Sequence, residues 1–134
     1  MSNQEVKNTV VTVEEMTMIR DYILLPHLEK MVQKSLADIE YSNNVLKRLY
    51  LMAGHTIIEM ISSDLRRLRR ELKQSNIKIL DAEQSDYVVF HYYYCRGYKE
   101  QFGMSREAMR TELSWKLSKY ISDLTTFLKT EQNK

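Results

Sequence analysis

One stretch of this sequence, residues 77–98, constrains the fold more than any other. It holds five of the nine tyrosines, the single cysteine and one of the three glycines. Residues 87–94 are mostly β-branched or aromatic, and such side chains pack well on a pleated sheet but lose rotamer freedom in a helix. We predict a β-hairpin with strands near 77–81 and 87–96, joined by a polar loop. A buried helix is the alternative, because periodicity does not separate the two in an apolar run.

Alternation along the second predicted strand divides its side chains between two faces. One face has Tyr87, Val89, His91, Tyr93 and Cys95. The other face has Val88, Phe90, Tyr92, Tyr94 and Arg96. Both sets are largely apolar, so we expect both faces to be covered. An isolated hairpin is marginally stable in water, so the cover must come from the helices or from a second chain.

The rest of the chain has the apolar spacing of helices. Thr12 and Glu15 have the spacing of a capping box, and Ser105 is a candidate N-cap. Pro26 either begins a new helix or kinks an existing one. The predicted fold is mainly α with a small antiparallel β-hairpin, an α+β bundle in the order helix, long helix, hairpin, helix. The predicted helical segments are 13–25, 26–40, 45–73 and 106–128.

Length and composition indicate one globular domain over residues 1–134, with 1–11 and 130–134 frayed. The chain is 43% hydrophobic and 28% charged, which is ordinary for a soluble domain. One cysteine excludes an internal disulfide. Neither a signal peptide nor an apolar segment long enough to span a membrane is visible, so we expect a cytoplasmic protein with no membrane partner. The net charge of +2 is too small to indicate nucleic-acid binding by itself.

Several short motifs are spread over about residues 19–121. They are Ile23-Leu24-Leu25-Pro26, Ile39-Glu40, Lys47, Tyr50-Leu51, Asn76-Ile77-Lys78-Ile79, Gly97-Tyr98 and the span from Leu113 to Tyr120. Together these motifs resemble those of small Firmicute proteins of the YhjD-like kind. The resemblance implies a cytosolic bacterial protein and no particular activity, so it assigns no functional residues.

The strongest charge run is the arginine run, Arg66, Arg67, Arg69 and Arg70. Local pairing with Asp64 and Glu71 on a solvated helix end accounts for most such runs. The alternative is a surface for an anionic partner, because arginine binds phosphate bidentately and tyrosines offer stacking surfaces. The candidate anionic-partner surface is Arg66, Arg67, Arg69, Arg70 and Arg96, and the candidate aromatic contact surface is Tyr92, Tyr94 and Tyr98.

No catalytic, metal or cofactor site is predicted. Cys95 beside Arg96 is the best candidate for a reactive thiol, but no base accompanies it in any recognisable motif, and a free cysteine is more often buried. His91 and Cys95 lack the paired spacing of zinc ligands.

The apolar stripes of the hairpin and the long helix exceed what a thin bundle covers, which favours self-association. We therefore expect a non-enzymatic cytosolic interaction or regulatory protein that acts through protein contacts as a homodimer. A small nucleic-acid-binding regulator is the alternative.

Overall fold

The computed structural model describes residues 10–84 and 87–132. Of the ends that were expected to fray, residues 1–9 and 133–134 lie outside these ranges, whereas residues 130–132 belong to the last helix. The element order is helix, helix, three strands, helix, and this confirms the predicted α+β class. The elements are α1 (Val13–Glu40), α2 (Lys47–Gln74), β1 (Ile77–Gln84), β2 (Val88–Cys95), β3 (Tyr98–Ser105) and α3 (Arg106–Gln132).

Helix α1 is one continuous helix, although the sequence predicted an interruption at Pro26. Its start has the predicted capping box: the Glu15 amide donates to Thr12 Oγ1 at 3.0 Å, and the Thr12 amide donates to Glu15 Oε1 at 3.0 Å. Ser105 has its predicted capping role at the start of α3, where its hydroxyl oxygen accepts a hydrogen bond from the Ala108 amide. The predicted bounds of α2 were within two residues of those observed.

The sheet is an antiparallel meander in the order β1-β2-β3. The hairpin between β1 and β2 is confirmed, with Ile77 opposite Cys95 and a bulge between Ile79 and Ala82. The third strand was not predicted. Its segment contains Lys99-Glu100-Gln101, which has low strand propensity, but the strand is an edge where such polar side chains face water.

The turn between β2 and β3 consists of Arg96 and Gly97, and both have positive φ, 51° and 92°. Two such residues in succession are typical of a type I′ turn, whose twist matches that of the flanking strands. A residue with positive φ also follows α2: Asn76 has φ of 56° directly after the helix C-cap. Asparagine tolerates this left-handed conformation better than most residues. These two turns place the sheet against the end of α2.

The core consists of two clusters. The larger lies between the three helices and includes Leu28, Ile61 and Leu113. The smaller lies between the helices and the sheet and includes Ile19, Leu72, Ile77, Tyr93 and Cys95.

Only one face of the sheet, the inner face with Val89, Tyr93 and Cys95, is buried. On the opposite, outer face, Val88, Phe90 and Tyr92 are only partly buried and Tyr94 is 39% exposed. The expectation that both faces are covered was therefore wrong for the outer face, because all three helices pack on the inner face.

Candidate functional site

The arginine run lies on the last turns of α2, and all four side chains are exposed. Arg67 forms the predicted local pairs, with Nη1 3.2 Å from Glu71 Oε2 and Nη2 3.8 Å from Asp64 Oδ1. Its charge is therefore balanced within its own helix. Pairing of this kind at an exposed site contributes little free energy of folding.

Arg69 has a different environment from Arg67. It lines a cleft of about 330 Å³ between the end of α2 and β1, together with Lys73 and Lys78. Apolar side chains form part of the same cleft, including Tyr22 and Leu72. Among the described residues that line the cleft, none is acidic. The cleft therefore combines three cations with an apolar wall.

Arg96 does not join this cationic group. Its Nη1 and Nη2 donate to the two carboxylate oxygens of Glu15, at 2.9 and 3.1 Å. It also donates to the carbonyls of Ser75 and Val10. These hydrogen bonds from Arg96 hold the pKa of Glu15 below its ordinary value, and burial opposes the shift. The structure thus places Arg96 in an internal ion pair, away from the anionic-partner surface that the sequence predicted.

The predicted aromatic surface is divided between the two faces of the sheet. Tyr92 and Tyr94 lie on the outer face of β2. Tyr98 is opposite Cys95 in the strand register, so it is on the inner side, where it lines a separate hollow with Val10 and Tyr93. Only two of the three tyrosines therefore share a surface.

On the outer face, Tyr94 is flanked by lysines on both neighbouring strands. Lys78 of β1 and Lys99 of β3 are its partners in the register. The ammonium of Lys99 lies 4.6 Å from the centre of the Tyr92 ring, a cation–π contact. Since Lys78 also lines the cleft that contains Arg69, the outer face and the cleft are adjacent.

A second candidate surface lies between the three helices. It is an apolar groove of about 460 Å³, formed by the C-terminal half of α1, the N-terminal half of α2 and the C-terminal half of α3. The sequence placed the apolar surplus on the hairpin and the long helix. The long helix, α2, does line the groove, but the hairpin does not, and the contributions of α1 and α3 were missed because these segments are distant in the sequence. The groove is lined by Met31, Val32, Ser35, Leu36, Ile39, Tyr50, Ala53, Gly54, Ile57, Leu117, Ile121 and Leu124.

A polar cluster that joins all three helices was not predicted. The Tyr120 hydroxyl donates to Asp64 Oδ2 at 2.5 Å, and Lys116 pairs with Asp21. Burial, followed by the bond to Asp64, raises the pKa of Tyr120 far above its ordinary value. The sequence gave no sign of a polar role for Tyr120, because its partner Asp64 lies on another helix. The cluster fixes α3 against α1 and α2.

Cys95 and His91, which the sequence analysis considered as a reactive thiol and as zinc ligands, both lie on strand β2. Cys95 has no exposed surface, and burial raises the pKa of its thiol. His91 Nδ1 lies 3.1 Å from the Leu80 carbonyl oxygen. Burial lowers the pKa of His27, with smaller contributions from His91 and Lys30. Within residues 10–84 and 87–132, no three His, Cys, Asp or Glu side chains are grouped as metal ligands.

Residues 10–125 match the family described as YhjD protein. The chain belongs to the YhjD family. The match includes the whole sheet, the cleft and every residue of the apolar groove, so the YhjD family match spans both candidate surfaces. No curated protein and no solved structure matches the chain. In the described part of this YhjD-family chain, no helix combines the length and apolarity needed to cross a bilayer.

Proposed function

We propose that this YhjD-family protein is a non-enzymatic interaction protein that forms a homodimer through the apolar groove. The observation that supports the proposal is the concentration of exposed apolar side chains at the end of the bundle that contains the groove. Met31, Tyr50 and Ile121 line the groove and are each more than 40% exposed. Monomeric proteins rarely leave a contiguous apolar surface of this kind uncovered.

The neighbours of the groove extend the same surface. On α2, Leu49 and Met52 are more than half exposed beside the lining residue Ala53. On α3, Phe127 and Leu128 are more than half exposed one turn beyond Leu124. A surface with a hollow and adjacent apolar projections is suited to an isologous contact, in which each copy places its projections in the hollow of the other.

Charge also favours a second copy as the occupant. Of the described lining residues, none is acidic or basic, so closure of two grooves on each other buries no charge. The cations of the arginine run and of Lys78 lie toward the other end of α2, so two copies that meet at the groove keep these charges apart. A stable contact needs about 1,000 Å² of buried surface in total.

The proposal has no catalytic step, since the thiol that the sequence singled out, Cys95, is buried with a raised pKa. The proposed compartment is the bacterial cytosol, in keeping with the resemblance to Firmicute proteins. Other proteins would then contact surfaces that the dimer leaves open.

The experiment is a mass measurement in solution by light scattering and sedimentation at micromolar concentration. The unsubstituted protein should have twice the monomer mass, and Ile121→Lys should have the monomer mass. Trp115→Lys is the matched control, because Trp115 is 67% exposed on the same helix but does not line the groove. A monomeric unsubstituted protein, or equal dissociation by both lysines, would refute the proposal.

A further inference from the structure

The cleft and the outer face of the sheet form one continuous surface, which we call the basic–aromatic band. It consists of Arg69, Lys73, Lys78, Tyr94, Tyr92 and Lys99. We infer that the band binds single-stranded nucleic acid, with the cations on phosphates and Tyr94 stacked on a base beside Tyr92, whose ring already contacts the Lys99 ammonium. This inference is independent of the proposed dimer, because the apolar groove lies on other residues.

The arrangement of the cations supports a phosphate backbone as the ligand. Arg69 and Lys73 on α2 and Lys78 on β1 face one cleft. Lys99 continues the series across the sheet, beyond Tyr94. Adjacent strands are about 4.8 Å apart, so the backbones of Lys78 and Lys99 are about 10 Å apart on either side of Tyr94. Within the described chain, none of these four cations forms an ion pair.

Arg67 belongs to the same run, but carboxylates of its own helix balance its charge. It contacts both Asp64 and Glu71, whereas Arg69 faces a cleft whose described lining has no carboxylate. The band therefore retains positive charge that its own helix does not neutralise. Such charge attracts a polyanion and makes its binding depend on salt, because each neutralised phosphate releases counterions.

The tyrosines distinguish a single strand from other polyanions. Tyr92 and Tyr94 are two residues apart on one strand, so their side chains point to the same face at a separation of about 7 Å. Tyr94 is 39% exposed and Tyr92 is partly buried, and the buried clusters that join the helices to β2 involve the opposite face, with Val89, Tyr93 and Cys95. Unstacked bases gain stability on exposed aromatic rings, but the bases of a duplex are stacked on each other and do not reach such rings.

The band has a defined end along β1. Asp81 follows Lys78 on the same strand, within the bulge between Ile79 and Ala82 that interrupts the register, and it is exposed. Its carboxylate disfavours a polyanion at that end of the sheet. The bound strand is therefore expected to cross the sheet at Lys78, Tyr94 and Lys99, at the edge that faces the end of α2.

The test is fluorescence anisotropy with a labelled 12-nucleotide oligouridylate over a range of salt concentrations. The unsubstituted protein should bind at micromolar concentration in low salt. Arg69→Gln and Lys78→Gln should each weaken binding and lower the salt slope by about 0.7, the value for one phosphate contact on a single strand. Tyr94→Leu should weaken binding about fivefold or more at an unchanged slope, and Tyr94→Phe should retain it.

Two matched controls keep the test specific. Arg67→Gln removes an arginine of the same run that is already paired, and Tyr87→Leu removes an exposed tyrosine that precedes β2. Both should leave the affinity unchanged. An abasic oligomer of equal length should bind more weakly than oligouridylate, and a duplex should not bind better.

Several outcomes would overturn the inference. They are an absence of oligouridylate binding in low salt, equal binding of the abasic oligomer, competition by polyglutamate as effective as by oligouridylate, and equal losses in the band variants and their controls. Equal competition by polyglutamate would indicate an acidic protein segment as the ligand. None of these results depends on the oligomeric state, which the mass measurement tests separately.

Discussion

The guanidinium of Arg96 donates two hydrogen bonds to the carboxylate of Glu15, which lies 81 positions earlier in the chain. Glu15 also closes the capping box of α1, and Arg96 is the first residue of the turn between β2 and β3. One ion pair therefore fixes the start of the first helix to one end of the sheet. Its geometry leads to predictions about stability.

The first prediction concerns the carboxylate. Glu15→Gln should lower the free energy of unfolding at neutral pH by about 2 kcal/mol, because hydrogen bonds to charged groups contribute about 1.5–3 kcal/mol. Glu14→Gln is the control, since Glu14 is exposed in the same turn. Urea denaturation measures both. A cost no larger than that of Glu14→Gln would contradict a stabilising role for the pair.

The pH dependence follows from the same group. The folded protein holds the pKa of Glu15 below its ordinary value of 4.5, so the stabilisation is present above that pH. It is lost as the pH falls through the folded pKa, since the carboxyl is then protonated in both states. The difference in free energy of unfolding between the unsubstituted protein and Glu15→Gln should therefore shrink below about pH 4.5. A constant difference down to pH 3 would contradict this.

A further prediction concerns the turn. A side chain at Gly97 would meet no atom within 4 Å, so Gly97→Ala tests the backbone conformation alone. The expected cost is about 1–2 kcal/mol, the penalty of left-handed φ for a residue with a Cβ. Gly97→Asn should cost less, because asparagine tolerates that region. Thermal and urea denaturation give the values, and an Ala variant as stable as the unsubstituted protein would exclude the type I′ geometry.

Tyr120 provides a test of the polar cluster. Tyr120→Phe should cost about 1–3 kcal/mol, because it removes the donor to Asp64 and leaves that carboxylate with one partner fewer. Tyr87→Phe is the control, since Tyr87 is 80% exposed.

The raised pKa of Tyr120 also predicts that stability falls as the pH rises above about 10, where tyrosines ionise in the unfolded chain but Tyr120 does not in the folded one. Ultraviolet titration that showed every tyrosine ionising near pH 10 in the native state would contradict the assignment.

Arg67 tests the local pairs of the arginine run. Arg67→Ala should cost well under about 1 kcal/mol, as is usual for exposed pairs on a helix. The two acceptors, Asp64 and Glu71, remain solvated after the change. A loss of several kcal/mol would contradict this prediction, because it would mean that the exposed pair contributes much more to the free energy of unfolding than its geometry indicates.

Local signals were sufficient for most of the architecture. The density of aromatic and β-branched side chains predicted β2, and the apolar spacing predicted α2 to within two residues at each end. The interruption predicted at Pro26 was wrong, because the helix continues through it. Strand β3 was missed because Lys99, Glu100 and Gln101 obtain their strand conformation from the ladder with β2 and not from their own propensities.

The sequence predicted the candidate sites less completely than it predicted the fold. The exposed positions and local pairs of the arginine run follow from helical spacing, but the partner of Arg96 is on a distant helix and no local pattern indicates it. Strand alternation places Tyr92 and Tyr94 together, and it would place Tyr98 there too without a turn at Arg96 and Gly97. That turn reverses the chain and puts Tyr98 opposite Cys95.

The burial of Cys95 has a practical consequence. The chain has one thiol, and that thiol lies on the central strand with no exposed surface. An alkylating reagent reaches it only after the sheet separates from α1 and α2, so the rate of labelling in native buffer measures the free energy of that opening. If slow labelling matches global unfolding, the sheet and the helices open together; if labelling is faster, the sheet detaches while the helices remain packed. The unsubstituted protein thus contains its own probe for whether sheet and helices form one cooperative unit.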